Sequence, residues 1–366
     1  MNNHLSRRDF LWKCSASLAA AGVGALCPTA LGAGVAEYRR GGMVYRRLGK
    51  TDLWPSLLSF GSHTDPADRV PAGPDATVLS TAGQARRDHI IAHAFDMGVN
   101  TLDIYADMGQ WEPAARFLRG RQRDNIIVSL AHEISAQQID YGCKLYGHVD
   151  MYRFGTVAID DEALRNWDLL RKAKEAGKIR AIGIASHDER TMREALTELE
   201  GIDYIFLPYN FIQARAGYSA LLPEAQRNGV GLVAMKPLAS GSIIRLDPLA
   251  RPGAKAEFEF LAWQENQTPF LAAAVAELTK TIDRLPDETL CMAAMRFVYS
   301  HDFVTTAIAG MFEERLLVDN YKAMANYQQM TREEHAALDA ARQVARLLNK
   351  SWLPPHYRWL EERWGV

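Results

Sequence analysis

Residues 98–112 of the chain read GVNTLDIYADMGQWE, and this segment carries the clearest indication of architecture. The apolar and β-branched run Thr101–Ile104 predicts a strand that holds the carboxylate of Asp103. A loop follows, and a helix is expected to begin near Trp111. A strand that presents a carboxylate just before a loop and a helix is typical of a parallel α/β fold.

Strand-like runs and helix-like segments alternate along the rest of the chain. The eight predicted strands are Leu57–Gly61, Thr101–Ile104, Ile126–Leu130, Val149–Phe154, Ile179–Ala185, Tyr204–Leu207, Gly231–Met235 and Val304–Ile308. The predicted helices are Arg86–Met97, Pro113–Arg119, Asp161–Glu175, Asp188–Leu199, Leu221–Asn228 and Glu313–Met324. Eight strands alternating with helices over roughly 280 residues predict an α/β fold of the (β/α)8 TIM-barrel class. An open doubly wound sheet is the structural alternative, which the lack of an early Gly-x-Gly-x-x-Gly turn disfavours.

Two predicted connections are unusually long. Ser62–Ala85 follows the first strand and is rich in Pro, Asp and Gly, and Arg245–Pro286 precedes the last strand. Loops after strands lie at the catalytic end of such barrels, and long ones usually cover or line a site. Plain insertions are an equally good interpretation.

The composition of the chain excludes several classes of function. The 366 residues carry a net charge of −2 and are 48% hydrophobic, enough for a large core. No long basic run points to a nucleic-acid partner, and no long apolar run in the body predicts a membrane span. Cys143 and Cys291 are far apart, without metal-ligand spacing, so neither a disulfide framework nor a metal site is expected.

The first 36 residues differ from the rest. Ser6–Leu11 reads SRRDFL, and a weakly apolar stretch, Ser15–Leu26, follows it. Paired arginines before such a stretch predict a twin-arginine export signal, with cleavage allowed just before Glu37. We therefore expect a periplasmic or otherwise exported protein that meets the membrane only through this signal. The expected organisation is a signal peptide at 1–36, a barrel at 37–345 and an aromatic tail at 346–366.

Several motifs, in this order and spacing, resemble the aldo/keto reductase family over nearly the whole mature chain. The segment of residues 98–112 resembles the family signature around its catalytic Asp. The other motifs are Met43–Leu53 (the opening hairpin), Ile182–His187 (nicotinamide contacts), Pro208–Asn210, Met235–Gly241, and Gly310 to Asn320 (the adenosine half).

The resemblance implies a catalytic Tyr, Lys, Asp and His. The Tyr protonates the substrate carbonyl while hydride arrives from the nicotinamide, and the Lys lowers the pKa of the Tyr. Asp103 matches the Asp. The other positions hold residues that cannot do this chemistry: Met108 for the Tyr, Leu130 or Ala131 for the Lys, Gly155 for the His, and Phe206 for a stacking Gln.

Two interpretations of the site remain open. Residues Asp103, Tyr105, His132 and Arg153 could form a rearranged catalytic site, because residues two apart in a strand point the same way. Alternatively, Arg153 pairs with Asp103, which otherwise would be a buried carboxylate without its lysine. Tyr105 would then be packing and His132 a loop residue.

The same resemblance implies a nicotinamide cofactor, NAD or NADP, tightly held if the protein is exported with it. The residues expected to contact it are Ser186, His187, Lys236, Gly310, Arg315 and Asn320. The acids at Glu313 and Glu314 disfavour a 2′-phosphate and suit a free ribose hydroxyl, which favours NAD. Since the tail has no cysteine, an iron–sulfur cluster is not expected.

Two functions follow from these observations. One is an exported oxidoreductase whose ordinary NAD(P)H carbonyl reduction is impaired or lost, or whose site is rebuilt. The other is a non-catalytic binding or assembly subunit of an exported redox complex. The expected partners are a small carbonyl or sugar-like ligand and, in the second case, an exported protein.

Overall fold

The computed structural model describes residues 35–73, 76–105, 109–131, 134–210, 221–238 and 289–327. The chain separates into two units, Met1–Ala33 and Gly34–Val366, and the first lies outside the described residues. Residues 1–34 of the predicted export signal and the whole predicted tail therefore lie outside them, as do Met108, His132 and the connection Arg245–Pro286.

The second unit alternates strands and helices as predicted. Its strands are β1 (Glu37–Arg40), β2 (Met43–Arg46), β3 (Leu58–Phe60), β4 (Arg69–Pro71), β5 (Thr77–Leu79), β6 (Thr101–Tyr105), β7 (Ile127–Ala131), β8 (Val149–Gly155), β9 (Ile179–Ala185), β10 (Tyr204–Pro208), β11 (Gly231–Met235) and β12 (Val304–Ala309). Its helices are α1 (Thr81–Asp96), α2 (Trp111–Leu118), α3 (Ala136–Tyr146), α4 (Asp161–Glu175), α5 (Glu189–Glu198), α6 (Leu221–Asn228), α7 (Leu290–Ser300) and α8 (Glu314–Ala325).

Eight of these strands close into one parallel barrel, and the predicted (β/α)8 class is confirmed. The order around the barrel is β10-β11-β12-β3-β6-β7-β8-β9. All eight strands were predicted to within about two residues at their ends. Since every strand runs the same way, the carboxyl ends of β3, β6, β8 and β11 meet at one face, where sites form in such barrels.

The N-terminal segment differs from the prediction. The resemblance placed the opening hairpin at Met43–Leu53. Instead β1 and β2 form the antiparallel hairpin, because Gly41, with a φ of 61°, supplies the tight turn between them. After it, Leu48 and Leu53 pack into the interior of the barrel.

Two hydrophobic cores hold the fold together. A small one fills the barrel interior and includes Met151, Tyr204, Phe206 and Val233. A larger one lies between the strands and the surrounding helices. Polar side chains that can meet a ligand are therefore expected near the carboxyl ends of the barrel strands.

The first long connection has structure that the sequence did not reveal. Within Ser62–Ala85, β4 and β5 form a small antiparallel hairpin, and α1 begins at Thr81 rather than at Arg86. Ser80 caps α1 by accepting a hydrogen bond from the Gly83 amide. Within the described ranges, no helix is long and apolar enough to cross a membrane.

Candidate functional site

Three neighbouring strands bring Asp103, Ser129 and Arg153 together inside the barrel. Arg153 Nη1 donates to Asp103 Oδ1 at 2.7 Å, and Nη2 donates to Oδ2 at 2.9 Å. The Ser129 hydroxyl donates to Asp103 Oδ1 at 2.6 Å and accepts from Arg153 Nη1 at 2.9 Å. All three residues are fully buried. The predicted pairing of Arg153 with Asp103 is therefore confirmed, and Ser129 is a member that the sequence did not reveal.

Aromatic rings complete the surroundings of Arg153. Its guanidinium lies 3.6 Å from the centre of the Phe206 ring and 5.0 Å from that of Tyr105. Burial alone would lower the pKa of Arg153, but the charge of Asp103, with smaller contributions from Tyr105, raises it. The pair is thus an internally neutral unit whose arginine stays charged. Of the four residues in the rearranged-site hypothesis, Asp103, Tyr105 and Arg153 come together, and His132 lies outside the described residues.

The structure distinguishes the two positions that the resemblance offered for the lysine. Leu130 points outward, since a Cβ at Gly142 of α3 would lie 3.0 Å from its Cδ1. Ala131 pairs in register with Tyr105 and Arg153, so it shares the face of Asp103. At Gly155 the space is open, because a Cβ there would meet only the Ala185 carbonyl oxygen at 4.0 Å.

His63 is a site residue that the sequence analysis missed. It follows β3 by three residues, and its ring centre lies 6.4 Å from that of Tyr105. Burial, and then the charges of Lys236, Arg69 and Arg87, lower the pKa of His63 to about 4, and the charge of Asp103 opposes them. His63 is therefore a neutral imidazole at the mouth of the barrel at ordinary pH.

The predicted nicotinamide contacts lie at the ends of β9 and β11. Ser186 is buried, and its hydroxyl accepts from the Asp188 amide at 3.2 Å. Burial, and then the charge of Lys236, lowers the pKa of His187 to about 3. Burial also lowers the pKa of Lys236 to about 8, and its backbone has a φ of 52°, unusual for a residue with a side chain.

The predicted adenosine contacts lie at the end of β12 and on α8. Gly310 lies beside His63, whose Cβ would be 3.4 Å from a Cβ at position 310. Helix α8 holds three buried polar atoms that have no hydrogen-bond partner among the described residues: Glu314 Oε2, Arg315 Nε and Asn320 Nδ2. Buried polar atoms without partners are costly, so each requires an explanation. One acceptor and two donors fit the polar groups of a ribose and an adenine.

The charges on α8 are already engaged by neighbouring groups. Glu314 Oε1 bonds His93 Nδ1 of α1, and Arg315 Nη1 lies 3.6 Å from Asp319 Oδ2. No group of three or more His, Cys, Asp or Glu side chains that could hold a metal ion is present in the described ranges. This face of the barrel thus offers hydrogen-bonding groups for a nucleotide. The carboxylate of Asp103, by contrast, is already bonded to Arg153.

A parallel barrel with nucleotide-binding groups at the carboxyl ends of its strands is typical of many oxidoreductases. Comparison with known proteins assigns the family. The model of the aldo/keto reductase family matches residues 83–343. The chain therefore belongs to the aldo/keto reductase family, whose members typically bind NAD(P)H.

Individual relatives are distant. The chain is 24% identical to an L-glyceraldehyde 3-phosphate reductase of Escherichia coli (strain K12), over 81% of this chain and 91% of that protein. It is 22% identical to an uncharacterized oxidoreductase, YqkF, of Bacillus subtilis (strain 168), over 76% of this chain and 82% of that protein. Its fold matches the aldo-keto reductase AKR11C1 from Bacillus halodurans, in apo and holo forms, with a TM-score of 0.60 and 22% identity, over 81% of this chain and 95% of that structure.

Proposed function

We propose that this protein is an exported aldo/keto reductase homologue in which ordinary NAD(P)H-dependent carbonyl reduction is impaired or lost. The observation that carries the proposal is the doubly hydrogen-bonded pair of Arg153 and Asp103. In the arrangement that the aldo/keto reductase resemblance implies, the Asp holds a Lys, and this Lys lowers the pKa of a Tyr. Here the carboxylate is held by an arginine, and an alanine, Ala131, shares its face.

The missing proton donor determines how far the rate of carbonyl reduction is expected to fall. A positioned proton donor contributes about 10²–10⁴ in rate, so its loss leaves little ordinary turnover. With Met108 at the Tyr position and Gly155 at the His position, neither proton transfer nor orientation of the carbonyl has its usual residue. Tyr105 and Arg153 are the remaining candidates for a proton donor near Asp103. Arg153 is already bonded to Asp103, and its guanidinium packs against the Tyr105 ring.

The experiment that tests this proposal compares the natural protein with a rebuilt one. The rebuilt variant combines Met108→Tyr, Ala131→Lys, Arg153→Gln and Gly155→His, which returns a cation to β7 and uses the open space at Gly155. Oxidation of NADH and NADPH is followed with a panel of aldehydes and ketones. We expect the natural protein to be at least about a hundredfold slower than the rebuilt variant. A natural protein with rapid turnover would overturn the proposal.

We further propose that a nicotinamide nucleotide, if retained, is NAD(H). The unpartnered polar atoms of α8 support a nucleotide, and Glu313 and Glu314 oppose a 2′-phosphate there. Gly310 would lie on the adenosine side with α8, and Ser186, His187 and Lys236 would hold the nicotinamide half. When bound, the group would supply hydride. The test is to unfold natively exported protein and assay the released material for nucleotide.

The second candidate is a non-catalytic binding or assembly subunit of an exported redox complex. It is favoured by the same neutral pair, which leaves Asp103 no part in chemistry. The two candidates differ in a measurable way. Released NAD(H) supports the oxidoreductase, whereas a nucleotide-free chain that copurifies with a stable exported protein supports the subunit.

A further inference from the structure

The two residues before β1 are bound to the folded chain by backbone hydrogen bonds. The Val35 amide donates to the Asp302 carbonyl at 3.1 Å, and the Arg47 amide donates to the Ala36 carbonyl at 2.8 Å. Asp302 lies in the short connection between α7 and β12. The predicted cleavage point of the export signal, between Ala36 and Glu37, therefore lies within a hydrogen-bonded segment of the chain.

The residues that follow the cleavage point are held as well. Glu37 pairs with Arg46 in the antiparallel ladder of β1 and β2, and Arg46 Nε donates to Glu37 Oε2 at 2.9 Å. The Tyr38 ring stacks on that of Tyr45, with ring centres 4.9 Å apart, and its centre lies 5.3 Å from that of Trp54. Both sides of the cleavage point are thus attached to the folded chain.

Arg46 fixes this segment to the same corner of the barrel that binds Val35. Its guanidinium is buried and donates to the carbonyls of His301 at 2.8 Å and Val304 at 2.7 Å. Those two residues flank Asp302, which accepts the hydrogen bond from the Val35 amide. Because the contacts meet at one corner, we expect residues 35–38 to detach as a unit.

Cleavage by a protease requires the residues around the bond to leave such contacts. A protease binds its substrate as an extended segment, so a chain that is hydrogen-bonded in the native structure must first open locally. The side chains of Ala36 and Glu37 are exposed, so the restriction comes from the backbone. A protein exported by the twin-arginine route crosses the membrane folded, and a signal peptidase would meet this bond in its hydrogen-bonded state.

We propose that the peptide bond between Ala36 and Glu37 is a protected processing site, at which removal of the export signal is limited by local opening of residues 35–38. Until this segment opens, the attached signal tethers the barrel to the membrane. Cleavage removes the partners of the Arg47 amide and the Asp302 carbonyl, so it also loosens the N-terminal hairpin. This inference rests on the export part of the proposed function and not on the loss of carbonyl reduction.

The test uses the full chain in detergent micelles and a purified bacterial signal peptidase. The reference is a synthetic peptide of residues 1–45, which carries the whole signal and the cleavage point without the barrel. Mass spectrometry measures the rate of cleavage before Glu37 in each. Two backbone hydrogen bonds together protect by a factor of about 10 to 100, so we expect the folded chain to be cleaved at least about tenfold more slowly than the peptide.

Variants outside the segment that the peptidase binds separate protection from recognition. Arg47→Pro removes the amide that bonds the Ala36 carbonyl, and the extended Arg46 before it tolerates a following proline. It should be cleaved several-fold faster than the natural chain. Arg47→Gln keeps the amide and is the matched control, with the natural rate. Arg46→Lys, which removes part of the corner anchor, is a second variant expected to speed cleavage, and urea unfolding checks that each variant is folded.

Three results would overturn the proposal. They are cleavage of the folded natural chain as fast as the peptide, unchanged rates in both Arg47→Pro and Arg46→Lys, and cleavage of the peptide only at another bond. Failure of the proposed function has different signs. Rapid carbonyl reduction would overturn the loss of activity and leave the protected bond standing, whereas retention of the natural chain in the cytoplasm would contradict export itself.

Discussion

Arg153 holds Asp103 with two parallel hydrogen bonds, of 2.7 and 2.9 Å, in the fully buried interior of the barrel. The two side chains come from β8 and β6, which β7 separates, and Ser129 of β7 bridges them. Asp103, which the resemblance matches to the family's catalytic Asp, is therefore part of a buried polar unit with Ser129 and Arg153. Buried pairs of this kind are costly to break, and this gives the first prediction.

Arg153→Met should destabilise the protein strongly. The change leaves Asp103 buried without its partner, which costs about 3–5 kcal/mol in comparable cases. The measurement is urea unfolding followed by circular dichroism. Arg190→Met is the control, because Arg190 pairs with Glu194 on the surface and exposed pairs contribute only about 0.2–1 kcal/mol.

The double variant Asp103→Leu with Arg153→Met separates this explanation from a simple packing loss. Removing both charges should recover most of the stability lost in Arg153→Met, since an apolar pair of similar volume avoids the desolvation cost. A double variant as unstable as the single one would show that the charge of Asp103 is not the cause.

Arg46 should be a second determinant of stability. It is 1% exposed, and its guanidinium donates to the carbonyls of Tyr299, His301 and Val304 and to the Tyr327 hydroxyl. Arg46→Met would leave several buried acceptors without donors, at about 1–3 kcal/mol each. Its neighbour Arg47 bonds two exposed carbonyls, so Arg47→Met is the matched control and should cost less than about 1 kcal/mol. Equal losses of stability in the two variants would contradict this role.

The barrel was predictable because each of its strands is a short apolar run between polar segments. Two helices, α3 and α7, were not predicted from the sequence, for opposite reasons. In α3, Ala136–Tyr146, Gln, Asp and Gly interrupt the apolar pattern, and α7, Leu290–Ser300, is apolar on nearly all sides, so neither shows a clear helical period. The β4–β5 hairpin has strands of three residues, too short for an alternating pattern.

The site was predictable only where the position of a residue along a strand determines whether its side chain points into the barrel or away from it. Asp103 and Arg153 were placed inside the barrel by alternation along β6 and β8. His63 could not be found this way, because a single histidine after a strand matches no motif. Its environment depends on charges from α1, β4 and the end of β11, which only the folded chain brings together.

Acid should destabilise the protein through His187. Burial, assisted by Lys236, lowers the pKa of His187 in the folded protein to about 3, whereas an unfolded histidine has a pKa near 6.5. Between these values the unfolded chain binds a proton that the folded chain does not. The contribution of neutral His187 to the free energy of unfolding is therefore fully present above about pH 6.5. Below that value it falls as the pH decreases, by up to about 1.4 kcal/mol per pH unit.

The measurement is urea unfolding of the natural protein and of His187→Gln at about pH 7.5 and about pH 5. The variant should lose less stability between the two values than the natural protein does. His89→Gln is the control, since His89 is exposed, and it should leave the pH dependence unchanged. Parallel behaviour of His187→Gln and the natural protein would contradict the assignment.

Export should depend on the paired arginines of the N-terminus. Arg7→Lys with Arg8→Lys keeps the charge of the predicted signal but removes its twin-arginine pattern. We expect the double variant to accumulate in the cytoplasm and the natural chain to reach the periplasm with Glu37 as its first residue, as measured by fractionation and N-terminal sequencing. Equal export of both chains would exclude the twin-arginine route.

Nucleotide selectivity should be set by Glu314. One of its oxygens bonds His93, which fixes the carboxylate, and the other is buried without a partner on the helix expected to face adenosine. Repulsion of a 2′-phosphate by this carboxylate should make NADH bind at least about tenfold more tightly than NADPH, and Glu314→Gln should reduce that ratio. Calorimetric titration measures both affinities without turnover. Glu189→Gln is the matched control, because Glu189 also begins a helix, α5, and should leave the ratio unchanged. Tighter binding of NADPH by the natural protein would show that Arg315, despite its contact with Asp319, reads the phosphate instead.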